Sequence, residues 1–252
     1  ELTGELTMLG ASYYGAEHLD LNTADVVVAN IGGLTGLTLS TGILGFMPIR
    51  QDKRPGFATL VASGLTGLTA AAFGSKHLTF TQGDATLTGL GALEGAWYGG
   101  FLTDIYDRNG QDPRIDAGIL TGGSLGLLGA AAVSQFTDLS PPQVLQVAGA
   151  GVYGKLLGTG LALLAKASPN TGKKSMLAMG ALGLGSAAYL KDDVHVETAD
   201  VALVPIASFI GAAHGSGISF WLQAKLDAGL TEDQIGGLAL TSFSLFGIGA
   251  AV

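Results

Sequence analysis

The chain contains no cysteine. That excludes a disulfide framework, a thiolate nucleophile and any zinc site built on cysteine. Charge is scarce as well: Asp, Glu, Lys and Arg make up 13 % of 252 residues, about half the share of ~25 % usual in soluble domains. The net charge of −8 argues against a nucleic-acid partner, which would need a surplus of basic residues to displace counterions. Familiar enzyme signals are missing too. No Gly-x-Ser-x-Gly elbow, His-Glu-x-x-His pair or Walker lysine loop occurs. Gly32-Gly33 and Gly89-x-Gly91 open no strand-to-helix turn of the dinucleotide-binding kind. The sequence therefore implies no enzyme, no cofactor and no metal.

What the chain has in excess is glycine: 41 residues, more than twice the ~7 % of an average protein. Many of these fall at a four-residue step. The step recurs four times, as Gly32, Gly36, Ser40; Gly91, Gly95, Gly99; Ala150, Gly154, Gly158; and Ala207, Gly211, Gly215. The middle members are separated by 59, 59 and 57 positions. A four-residue step returns to one face of a helix, so each copy offers a groove without side chains. Weaker stripes alternate with these: Ser63, Gly67, Ala71; Gly122, Gly126, Ala130; Met179, Gly183, Ala187. Strands need a period of two, so the Gly-Leu-Thr runs read as helix despite the poor helix propensity of Gly and Thr.

Passages of polar residues punctuate the pattern. His18 to Asp25 matches His77 to Asp84 at an offset of 59, and His195 to Asp200 repeats its end. Thr23, Asp25 and Asp84 read as helix caps, as does Thr231; Ser140-Pro141-Pro142 replaces the cap in the third copy. With one His per passage and none in the third, capping and solvation explain these residues better than metal binding. The pattern predicts an all-α fold of about nine helices: a first at 1–16, then 24–47, 57–75, 84–103, 116–135, one ending near 165, 175–190, 199–222 and 232–252. They form a single domain of four tandem hairpin repeats of about 59 residues, near 18–76, 77–135, 136–192 and 193–252. Pro205 should bend its helix. The opening Glu1 and the apolar close at 245–252 suggest a segment of a longer or processed chain.

Helices of 18–25 residues suit a hydrocarbon layer ~30 Å thick. Hairpin topology sorts the loops onto two sides. One side, at 48–56, 104–116, 166–174 and 223–233, carries nine of the twelve basic residues, whereas acidic residues divide almost evenly. That asymmetry follows the positive-inside rule and would place this side in the cytoplasm. The predicted partners are a lipid bilayer and other copies or membrane subunits, through small-residue faces left over after intramolecular packing.

Three ionisable residues interrupt the striped helices: Glu94, Lys155 and His214. Within a membrane such groups face the bundle interior or a wet cavity, either as structural pairs or as a relay. After removal of the repeat offset, Glu94 and Lys155 fall at neighbouring levels. Trp97, Tyr98, Tyr153 and Trp221 suit core or interfacial positions rather than ligand stacking. The reading favoured is a structural or pore-forming membrane component. Its rivals are a small-solute or ion transporter using those three polar groups, and a soluble helical scaffold with one basic edge.

Overall fold

In a computed structural model the described residues are 23–47, 54–75, 80–106, 113–190, 198–226 and 229–250. They form eight α-helices and no strand. In chain order these are α1 (Thr23–Gly45), α2 (Arg54–Ser75), α3 (Gln82–Tyr106), α4 (Pro113–Ser134), α5 (Pro141–Leu164), α6 (Pro169–Tyr189), α7 (Thr198–Leu226) and α8 (Glu232–Ala250). The helix expected at 1–16 lies outside the described residues, as do His18, His77 and His195.

The helix starts follow local chemistry. Thr81 caps α3 reciprocally with Asp84: the Thr81 amide donates to Asp84 Oδ2 (2.7 Å) and the Asp84 amide donates to Thr81 Oγ1 (3.2 Å). Asp84 is therefore the third residue of the box rather than the cap itself. Thr231 and Gln234 form the same box at α8, with 3.2 and 3.4 Å bonds. At α5 the Ser140 amide donates to Gln143 Oε1 at 2.9 Å.

Position 166–174, expected as a loop, is largely helical. Ser168 accepts from the Thr171 amide at 3.3 Å and Pro169 opens α6, so Lys173 and Lys174 sit in its first turns. Proline at the first helical position loses no bond and has its φ set in advance, which a Pro-Asn turn reading overlooks. Similarly, α7 runs on past 222 to Leu226 and continues through Pro205 as one helix.

The chain divides into two compact units, Glu1–Thr137 and Asp138–Val252. In the first, α1 packs on α2 and α3 on α4, and the two hairpins meet through α1 and α4. In the second, α5 packs on α6 and α7 on α8, and the hairpins meet through α5 and α8. Each unit thus has the same order of neighbours, the first helix of one hairpin touching the second helix of the next.

The distribution of side chains is inverted relative to a water-soluble bundle. Ser208, Ser219 and Ser244 are fully buried, and Val144 is the only large apolar side chain among the described residues buried as completely. By contrast Leu93 is 74 % exposed and Phe57 and Phe209 are each 70 % exposed. Small residues face inward and bulky apolar ones outward, far beyond the scattered exposed Leu or Phe of ordinary surfaces. The hydroxyls tolerate this because they bond back to their own helix. Thr35 donates to the Ile31 carbonyl (2.7 Å), Ser208 to Val204 (2.8 Å), Ser219 to Gly215 (2.8 Å) and Ser244 to Leu240 (2.8 Å). Four helical stretches, Val28–Gly45, Gly56–Ser75, Arg114–Ser134 and Pro141–Leu164, are long and apolar enough to cross a membrane.

Candidate functional site: packing faces and mid-helix polar groups

The striped residues lie at the hairpin interfaces. Gly32 faces Gly67 and Ala71, and Gly36 faces the Ser63 carbonyl, so a methyl group at either would run into the α2 backbone. Ser40 is buried and donates to the Gly36 carbonyl (2.9 Å). In the second hairpin Gly91, Gly95 and Gly99 lie against Gly126, Gly122 and Gly118, and the contact is reciprocal in each pair. In the third, the Ala150 carbonyl faces Gly183, Gly154 faces Met179, and Gly158 faces Ser175, whose hydroxyl donates to the Gly158 carbonyl (2.9 Å). In the fourth, Gly211 and Gly215 face Ser242, with Phe246 beside Gly211, and Ala207 is half-buried. Backbone approach of this kind replaces side-chain interdigitation as the source of dispersion contact.

A second set of close approaches joins hairpin to hairpin. Gly42 of α1 faces Thr121 of α4, with Gly45 beside Ala117. Gly160 of α5 faces Thr241 and Gly237 of α8. The pairs correspond: Gly160 follows Gly42 by 118 positions, and Thr241 follows Thr121 by 120. Thr121 Oγ1 and Thr241 Oγ1 are both buried without a hydrogen-bond partner among the described residues, so each hydroxyl lies directly against a glycine. Hydrogen bonds also cross from hairpin to hairpin: between the Thr38 and Ser124 hydroxyls (2.8 Å) in the first unit, and from Ser208 to the Tyr153 hydroxyl (2.8 Å) in the second. The sequence reading did not single out Gly42, Gly160, Thr121 or Thr241. Their signal is a spacing near 118, hidden under the stronger one of 59.

The three mid-helix ionisable groups have different settings. Glu94 is half-buried on α3 in the first unit. Lys155 is on α5 in the second unit and is only 8 % exposed. His214 on α7 is exposed; its Nδ1 lies 2.7 Å from the Ile210 carbonyl and its ring stacks on Phe246 at 5.8 Å. Glu94 belongs to one unit and the other two to the second. Of the aromatic residues, Trp97 and Trp221 are exposed, whereas Tyr98 and Tyr153 are half-buried. Among the described residues, no group of three or more His, Asp or Glu gathers to hold a metal.

No protein-family model, no curated protein and no solved structure matches the chain.

Proposed function

We propose that the chain is an integral membrane structural or pore-forming component, built from four glycine-packed hairpin repeats and acting within an oligomeric assembly rather than as an enzyme. The observation that carries this reading is the inverted distribution of side chains. Buried serine and glycine with Leu93, Phe57 and Phe209 outward suit an apolar solvent. The basic loops lie on the cytoplasmic side in this reading, by the positive-inside rule. Carbonate extraction of membranes carrying the protein tests it: the protein should stay with the membrane and be released only by detergent. Release into the aqueous wash would contradict it and favour a soluble scaffold with one basic edge.

A transport role is the second reading, favoured by one observation: a lysine, Lys155, buried on a glycine-lined helix. A buried cation in a spanning helix is costly and marks a partner or a path. Replacing Glu94 with Gln and Lys155 with Met, with assembly measured separately from flux in liposomes, tests that reading. Intact assembly with lost flux would support it, and intact assembly with unchanged flux would remove it.

A further inference from the structure

The crossing that joins the hairpins occurs twice, and the register relating the two copies points to a third position that is open. In α1 the crossing glycine sits in Ser40-Thr41-Gly42-Ile43, and in α5 it sits in Gly158-Thr159-Gly160-Leu161. One more striped helix carries the pattern: Gly215-Ser216-Gly217-Ile218 in α7, displaced from α5 by 57 positions, the offset that also relates Gly154 to Gly211. The remaining striped helix breaks it. Phe101 of α3 stands where Gly42 stands in α1, with its ring 5.1 Å from that of Trp97.

Gly42 and Gly160 are covered by a helix; a side chain built at Gly217 would meet nothing within 4 Å. Gly217 instead floors an open groove of about 420 Å³, lined also by Ala213, His214, Ile218 and Trp221. A glycine in open space inside a helix is destabilising relative to alanine, a cost that a docked helix would offset.

The mating face is defined by the same register. On α4 it is Ala117, Thr121 and Ser124, and on α8 it is Gly237, Thr241 and Ser244. The counterpart on α2, 59 positions before α4, is Ala58, Ala62 and Leu65, and all three are exposed. Only 11 % of the Gly56–Ser75 stretch of α2 is buried, against 39 % of Pro141–Leu164 in α5. The counterpart on α6 is Lys174, Ala178 and Ala181, which puts a lysine where Ala117 and Gly237 are buried. Of the two, α2 fits the groove.

We propose that the Gly217 groove of α7 receives the outer face of α2 (Ala58, Ala62, Leu65) from a second copy of this chain, by the crossing that joins α1 to α4 and α5 to α8. This names the contact behind the assembly proposed above and rests on that part of the reading. The contact is heterologous, because donor and acceptor are different surfaces. Each added copy leaves a free α2 and a free α7, so association closes into a ring or extends as a filament.

The absence of native cysteine makes the test direct. Ala62→Cys and Gly217→Cys both fall at exposed positions, and a side chain at Gly217 meets nothing within 4 Å. Oxidation of an equal mixture of the two singly substituted chains should give a covalent dimer that neither gives alone, and the double variant should give a ladder. Gly217→Phe, which copies Phe101 of α3, should reduce the assembly to monomer by sedimentation. The proposal is overturned if the mixture gives no more dimer than Ala62→Cys mixed with Leu182→Cys. It is overturned too if Ala178→Cys replaces Ala62→Cys as the efficient partner, or if the double variant crosslinks only within single chains. The crosslinking is read on membrane-retained and aqueous fractions alike. Dimer in the aqueous fraction would contradict the membrane reading and leave this contact standing; membrane retention without dimer would do the reverse.

Discussion

In the α3–α4 hairpin six glycines face one another in three reciprocal pairs, Gly91 with Gly126, Gly95 with Gly122 and Gly99 with Gly118. In the α7–α8 hairpin Gly211 and Gly215 face Ser242 instead, and the Phe246 side chain lies beside Gly211. The two hairpins share a striped first helix and differ in what fills the groove. Where both helices are bare, backbone meets backbone and nothing in the contact can give way. Where one helix carries Ser242, part of the contact is its hydroxyl, which can rotate, beside the Ser242 and Leu238 carbonyls, which cannot. The difference teaches that the stripe sets which faces meet, and the opposing helix sets how rigid the meeting is.

The largest effect is expected at Gly95. Gly95→Leu would drive a side chain into the Gly122 carbonyl and the Gly126 Cα, both backbone, and should destabilise on the order of 3 kcal/mol or more in an SDS titration. A smaller effect is expected at Gly215. A methyl there meets the Ser242 hydroxyl at 2.6 Å, which can rotate away, and the Leu238 carbonyl at 2.7 Å. After the helix-propensity gain of alanine, Gly215→Ala should cost about 1 kcal/mol in the same titration. Equal losses at the two glycines under the common change to alanine would break the comparison. Gly129 reverses the sign: a Cβ there meets nothing within 4 Å, so Gly129→Ala should stabilise by about 0.5–1 kcal/mol. The smallest effect belongs to Thr121→Val and Thr241→Val. Each replaces a buried hydroxyl that has no partner among the described residues with a methyl of similar shape, so stability should move by less than about 0.5 kcal/mol, or rise. Thr38→Val is the sharpening control, because it removes the 2.8 Å bond to Ser124; a bond of this kind in a bilayer is worth about 0.6 kcal/mol.

Much of this architecture was legible from residue spacing. The four-residue step located the hairpin faces, because a bare face on a helix has only one use in close packing. Gly32, Gly36, Gly91, Gly95, Gly99, Gly154 and Gly158 all lie against the following helix. The contact between hairpins was not legible. Gly42 and Gly160 each have a neighbour four positions before or after that is not small, so no stripe marked them, and pairing Gly42 with Thr121 requires knowing the three-dimensional order of four helices. The caps were only half legible: Asp84 was recognised, but Thr81 holds the cap position, since a Thr-x-x-Asp box reads equally well from either end. The start of α6 is hidden in the sequence because Pro169-Asn170 resembles a turn unless the preceding Ser168 is read as its cap. For the mid-helix groups, sequence gave depth along a helix and not exposure. Lys155 is buried and His214 is exposed, although both interrupt a glycine stripe.

The most direct measurement is the solvent seen by the outward apolar residues. Nitroxide labels on Leu93→Cys and Phe209→Cys, placed singly in the cysteine-free chain and reconstituted in liposomes, report collisions with molecular oxygen and with a water-soluble nickel chelate. A bundle that turns its large apolar side chains toward lipid predicts oxygen collisions well above nickel collisions at both sites. Nickel collisions dominating at both would place those faces in water and contradict it.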